Sequence, residues 1–185
     1  MEEKKEKKWE ILKSEYVLNS PYYKVKKEEV LLPDGSIIKD YFMRERKGWV
    51  LVYCLTKEGK VILNRQYKHG AQEVVMELPG GMVEESESPE EGAKRELEEE
   101  TGYVMEHVEY MGEFVTDPSN DRGKAWLCVG TGGKKIKEPK DDPTEPIEIE
   151  LVSPEEALRR AAEGEIKTLP HVAAIWMGCK KLGLI

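Results

Sequence analysis

The chain has 185 residues, 39% of them hydrophobic, with 37 Asp plus Glu against 29 Lys plus Arg for a net charge of −8. That length suits a domain with a sizeable core, and the acidic balance excludes a general affinity for nucleic-acid backbones, which needs clustered Lys and Arg. No run reaches the roughly 18 apolar residues of a membrane helix, and the charged opening Met1-Glu2-Glu3-Lys4-Lys5-Glu6-Lys7-Lys8 has no apolar h-region, so a soluble, cytoplasmic protein with no membrane partner is expected.

In chain order, residues 15–31 and 36–47 read as strands joined by the turn signal Pro33-Asp34-Gly35. Residues 49–55 and 61–67 flank the hairpin cue Glu58-Gly59 and read as central strands. Ser88 is a predicted N-cap, Pro89 suits the first helical position, and Glu91 completes a Ser-x-x-Glu capping box. The helix should run to Thr101 and close at Gly102. Further strands are expected over 108–115 and 125–130, separated by the polar loop 117–124, and a mobile polar connection over 134–145. A strand over 147–152, a helix capped at Ser153 and a last helix over 170–182 complete the chain. The expected class is α+β: an α/β/α sandwich with a mixed sheet between helices (residues 48–185) and an N-terminal antiparallel sheet subdomain (residues 1–47).

Cys54, Cys128 and Cys179 form neither a disulfide framework nor a zinc pattern and are expected to be buried or inert thiols. His69, His107 and His171 stand in no nucleophile motif and read as structural or exposed.

The densest information lies between Gly81 and Tyr103. With residue frequencies of about 5–10%, the positions Gly81, Glu87, Arg95, Glu96, Glu99, Glu100 and Gly102 would coincide by chance at roughly 10⁻⁸ per starting point. On the predicted helix, Glu96, Glu99 and Glu100 fall within one arc of about 100°, bordered by the apolar Ala93 and Leu97. Like charges at these spacings repel, so something positive should sit among them. Oxygen ligands without His or Cys suit Mg²⁺ or Mn²⁺ rather than zinc. The preceding Glu77-Leu78-Pro79-Gly80-Gly81 lets the backbone approach a ligand closely, so the Gly80 carbonyl could face the metal.

These residues resemble the Nudix box, the signature of hydrolases that cleave a nucleoside diphosphate linked to another moiety. The match holds at Gly81, Glu87, Arg95, Glu96, Leu97, Glu99, Glu100 and Gly102, and Tyr103 replaces the usual aliphatic residue. Residues 9–17, Leu32-Pro33-Asp34-Gly35, Arg65-Gln66-Tyr67-Lys68 and Pro118, 16 residues after Gly102, are similar to the ADP-ribose pyrophosphatase subfamily.

The resemblance implies that Glu96, Glu99, Glu100 and the Gly80 carbonyl hold Mg²⁺, with Mn²⁺ as an alternative, and that Glu87 and Arg95 support the box together with Gly81 and Gly102. Glu99 and Glu145 are the implied catalytic residues, with Glu148 competing for the role of base. Lys68, where relatives often carry Arg, is an implied substrate-binding residue with Arg46, Tyr41 and Pro118. Homodimerisation through the N-terminal sheet is a further implication, with Trp9, Tyr22, Tyr23 and Tyr41 as candidate stacking aromatics. The expected activity is hydrolysis of ADP-ribose or a similar nucleoside diphosphate sugar to a nucleoside monophosphate and a sugar phosphate. A GDP-sugar or dinucleotide pyrophosphatase and a non-catalytic nucleotide-sugar sensor are the alternatives.

Overall fold

The computed structural model describes residues 8–21, 23–140 and 146–185. Glu145 and Tyr22 therefore lie outside the described residues. By contact clustering the chain forms two compact units: one contains residues up to Lys47 together with Val115–Gly123, the other Gly48–Phe114 and Lys124–Ile185.

The first unit is a three-stranded antiparallel sheet of β1 (Glu10–Asn19), β2 (Lys24–Leu31) and β3 (Ile37–Glu45), in that order. The single strand expected over 15–31 is thus two. Ser20 breaks it: its backbone N–H donates to the Tyr23 carbonyl, as does its hydroxyl, and the chain reverses there. The second turn forms as the Pro-Asp-Gly signal requires. Asp34 accepts from the Ser36 N–H at 2.9 Å, and Gly35 takes φ +88°.

Val115–Gly123 is sequence-distant from this sheet and is bound to it by charge. Asp121, 4% exposed, takes hydrogen bonds from Arg44 and from the Gly123 N–H (2.7 Å) and pairs with Arg46 at 2.8 Å. Glu28, 2% exposed, accepts at both oxygens from Arg122 Nη2, at 2.9 and 2.8 Å. Buried carboxylates persist only when so compensated, because desolvation of an unpaired charge costs several kcal/mol.

The second unit is built on an eight-stranded mixed sheet. Its strands are β4 (Trp49–Thr56), β5 (Val61–Lys68), β6 (Glu73–Glu77), β7 (Gly80–Met82), β8 (Tyr103–Val104), β9 (His107–Val115), β10 (Lys124–Lys135) and β11 (Ile147–Val152). The main path runs β11-β5-β4-β10-β8, with β6 on β5, β7 on β4 and β9 on β10. β4 and β10 pair in parallel, whereas β10 with β8, β11 with β5, β4 with β5 and β7, and β5 with β6 pair antiparallel.

Helix α1 (Pro89–Thr101) covers one face, packing Ala93 and Leu97 against Val50, Val52, Cys54, Ile62 and Cys128. On the other face α2 (Pro154–Ala162) and α3 (Leu169–Lys181) bury Ala157, Ala161, Ala174, Ile175 and Cys179 against Leu51, Tyr53 and Leu63. This is the α/β/α sandwich with its N-terminal antiparallel sheet. The three cysteines are buried, and burial pushes the Cys54 and Cys128 thiols up to about 12. No helix of the described residues is long and apolar enough to cross a membrane.

Helix α1 has the predicted ends. Ser88 Oγ accepts from the Glu91 N–H while Glu91 accepts from the Ser88 N–H, and Gly102 closes the helix at φ +72°. A Cβ on Gly102 would lie 2.0 Å from the Lys137 carbonyl oxygen. Ser88→Ala should therefore cost about 1 kcal/mol, and Gly102→Ala about 2–4 kcal/mol, since it adds a steric clash to an unfavourable backbone region. Urea unfolding followed by circular dichroism checks the order; equal losses would contradict the left-handed cap.

Candidate active site

One end of α1 faces the β7 loop, and the fold concentrates negative charge there. Gly80 and Gly81 pair with Leu51 and Val50 of β4. A Cβ on Gly80 would meet the Val50 carbonyl oxygen at 2.1 Å, and one on Gly81 would meet the Glu96 carboxylate at 2.5 Å. Glycine at 81 thus makes the room that Glu96 occupies, a steric reason for that position which its spacing alone does not supply.

Arg95 is the positive group among the carboxylates. Its Nε and Nη2 donate to Glu87 Oε1 and Oε2 at 2.7 and 2.9 Å, and Nη2 also donates to the Met82 carbonyl at 2.8 Å. Its Nη1 reaches Glu96 Oε1 at 2.7 Å and lies 3.6 Å from Glu99 Oε2. This fork ties the loop before the helix to the helix itself. The Arg95 fork, with the Glu84 N–H, holds the Glu87 carboxyl down at about 2, well below the ordinary carboxylate range.

Glu100 is held differently. Its Oε2 accepts from the Gly80 N–H and from Asn64 Nδ2, each at 2.9 Å. Burial pushes its carboxyl up to about 7, against the opposing pull of those donors and of the Lys68 charge. Burial also raises Glu96, with Arg95 opposing. Glu99 is the most open of the three, with its side chain 42% exposed against 14% for Glu96.

The structure brings Gly80, Glu96, Glu99, Glu100 and Lys68 into the second unit. Lys68 Nζ lies 3.7 Å from Glu77 Oε2. Arg46, Tyr41 and Pro118 belong to the first unit. There Arg46 engages Asp121 and donates to Thr116 Oγ1 at 3.2 Å, while the Tyr41 hydroxyl donates to the Ser119 carbonyl at 2.6 Å, next to Pro118. Trp9 stands edge-on to Tyr41, with ring centroids 5.7 Å apart. Glu148 pairs with Arg65 at 3.4 Å across β11 and β5. By strand alternation it lies on the α2/α3 face with Glu150, which accepts from Arg160 at 2.7 Å, and away from the α1 face that carries Asn64.

Asn64 and Glu77 have no role in the sequence pattern, whereas His171 is structural, as its lack of a nucleophile motif implies. Asn64 interrupts the apolar run Val61-Ile62-Leu63 and is 4% exposed, a signal legible as a polar residue in a buried strand. Glu77 precedes the glycine loop. His171 on α3 is buried and accepts the Leu78 N–H at Nδ1, 2.9 Å away, so the last helix braces that loop; burial drives its pKa down to about 3 and keeps it neutral.

The donor set fits a hard divalent cation. It offers oxygen ligands without His or Cys, and two of its carboxylates, Glu96 and Glu100, are desolvated enough to favour a positive partner. Among the described residues no three acidic, His or Cys side chains are already grouped as metal ligands. Glu96 is turned onto Arg95 instead, its Oε1 2.7 Å from Arg95 Nη1.

The raised carboxyl has a consequence for the metal-free protein. Because Glu100 binds its proton more tightly when folded, its contribution to stability is present below about pH 4.5, its ordinary value, and is lost as pH rises through about 7. His171 acts in the opposite sense, its contribution being lost as pH falls below about 6.5. In chelator, wild type minus Glu100→Gln isolates the first effect, and the difference should move by about 2 kcal/mol against wild type between pH 5 and 8. Thermal unfolding checks this; parallel curves would contradict it.

Residues 45–172 match the NUDIX domain model, and residues 9–43 match the nucleoside diphosphate sugar hydrolase N-terminal domain. The methanol dehydrogenase activator of Bacillus methanolicus is 32% identical over 165 residues, covering 89% of each chain. An ADP-ribose pyrophosphatase of Bacillus subtilis is 31% identical over 140 residues, covering 75% of each. A solved structure of an ADP compounds hydrolase superposes with a TM-score of 0.84 over 95% of both chains at 21% identity, a likeness of fold. With its glutamate helix and glycine loop inside the matched region, the chain belongs to the Nudix family of hydrolases.

Proposed function

We propose that this Nudix hydrolase is a Mg²⁺-dependent pyrophosphatase that cleaves ADP-ribose or a similar nucleoside diphosphate sugar to a nucleoside monophosphate and a sugar phosphate. The observation that carries this reading is the burial of Glu96 and Glu100 beside the open Glu99, a concentration of carboxylate that favours a cation and, with it, a diphosphate. The names of the ADP-ribose pyrophosphatase relative and of the matched N-terminal domain support the substrate class.

In this reading Glu96, Glu99, Glu100 and the Gly80 carbonyl hold the cation. A bound divalent cation neutralises charge on the diphosphate and acidifies a nearby water. Lys68 contacts a phosphate oxygen as a point charge, without the two-pronged geometry of Arg. Water attacks one phosphorus, the bridging P–O bond breaks, and Glu145 accepts the proton of the attacking water. The Arg95–Glu87 fork keeps loop and helix in register throughout.

The expected assembly is a cytoplasmic homodimer through the N-terminal sheet. Its support is β1, exposed along its whole length and carrying Trp9, Ile11, Leu12, Tyr16, Val17 and Leu18 at or beside it.

Product analysis tests the function with ADP-ribose, ADP-glucose, GDP-mannose, NADH and diadenosine polyphosphates, each with Mg²⁺. Wild type should release AMP and ribose phosphate from ADP-ribose, and Glu100→Gln should lose at least about 100-fold in kcat, the scale of removing a group that stabilises developing charge. Equal turnover by both would overturn the metal assignment, and no turnover of any compound would favour a binding module. Light scattering on the same wild-type sample should give twice the 21.2 kDa chain mass.

A further inference from the structure

Asn64 sits on β5, inside the sheet, on the same face as Ile62 and the α1 layer. The residue is 4% exposed, its Nδ2 donates to Glu100 Oε2 at 2.9 Å, and its Oδ1 is buried with no hydrogen-bond partner among the described residues. A buried amide oxygen left unpaired destabilises the fold, and an aliphatic side chain of similar volume would avoid that penalty. Packing therefore does not account for an amide here, whereas its N–H does specific work.

Glu100 Oε2 accepts two hydrogen bonds, from Asn64 and from the Gly80 N–H. These two donors converge from β5 and from the glycine loop and fix one carboxylate oxygen in place. Glu100 Oε1 has no donor among the described residues and is the oxygen left to a cation.

We infer that Asn64 is a positioning residue: by pinning Glu100 Oε2 together with the Gly80 N–H, it presents Oε1 to the cation, and the fold tolerates its orphaned Oδ1 for that purpose. The inference rests on the reading of α1 as a cation platform.

Stability and cation affinity are then separable. Asn64→Leu removes the unpaired acceptor but also one of the two donors to the buried Glu100, two opposing effects, so its midpoint of thermal unfolding in chelator should stay within about 4 °C of wild type. Its affinity for Mn²⁺, measured by electron paramagnetic resonance of the free ion, should fall about tenfold, the scale of one hydrogen bond to a charged group. Half-saturating Mg²⁺ in turnover should rise by a similar factor, while kcat at saturating Mg²⁺ changes less. Asn64→Ala, which cannot overpack the site, should show the same loss of Mn²⁺ affinity and serves if the Leu variant fails to fold.

Unchanged Mn²⁺ affinity in a folded variant overturns the role of Asn64. A lower midpoint for Asn64→Leu with wild-type Mn²⁺ affinity assigns the residue to packing alone. Wild type that binds no Mn²⁺ overturns the cation platform itself. Wild type that binds Mn²⁺ but cleaves no nucleotide leaves the Asn64 inference standing and removes the substrate assignment.

Discussion

The functional end of this molecule is organised by the cost of taking carboxylates out of water. Leu97 and Ala93 must reach the sheet for α1 to pack, and that orientation carries Glu96 and Glu100 with them against the β7 backbone. Helical spacing allows no other outcome, because residues three and four apart share a face. Each carboxylate is then compensated locally: Glu96 by Arg95, Glu100 by the Gly80 and Asn64 N–H groups. The compensation is incomplete, and burial still raises both. A site that holds negative charge at a cost is ready for a cation.

The glycines, the Arg95 fork and the last helix all serve that arrangement. Gly81 leaves space for the Glu96 carboxylate, and Gly80 lets β7 lie against Val50 while its N–H points at Glu100. Arg95 bridges Glu87, the Met82 carbonyl and Glu96, so loss of Glu87 would act on the helix stripe through the guanidinium. His171 holds the Leu78 N–H from the opposite layer of the sandwich. The platform is thus fixed from both faces of the sheet, as a site of exact geometry requires.

What could be read from the sequence followed the physics of each element. Helix α1 was legible to the residue because its start and stop are written in local chemistry, a Ser-Pro-x-Glu start and a glycine stop. The hairpin at Gly59 and the strand Ile147–Val152 were legible for similar reasons. Short strands were not: β6, β7 and β8 exist through pairing with β5, β4 and β10 and carry too few residues for a period to show. The membership of Val115–Gly123 in the N-terminal unit depends on the burial of Asp121 and Glu28, which no local pattern announces. Asn64 was visible as a polar residue in an apolar run, yet its meaning depends on Glu100, 36 residues away.

In the proposed reading the α1 carboxylates hold a divalent cation, and Arg95 supplies part of that positive charge in the metal-free protein. Anomalous diffraction from a crystal grown with Mn²⁺ tests it most directly. The account predicts an anomalous peak bonded to Glu100 Oε1 and to Glu96 or Glu99, with the Glu96 carboxylate turned away from Arg95 Nη1 and the Arg95–Glu87 fork intact. A peak elsewhere, or no peak with Glu96 still on Arg95, would contradict it.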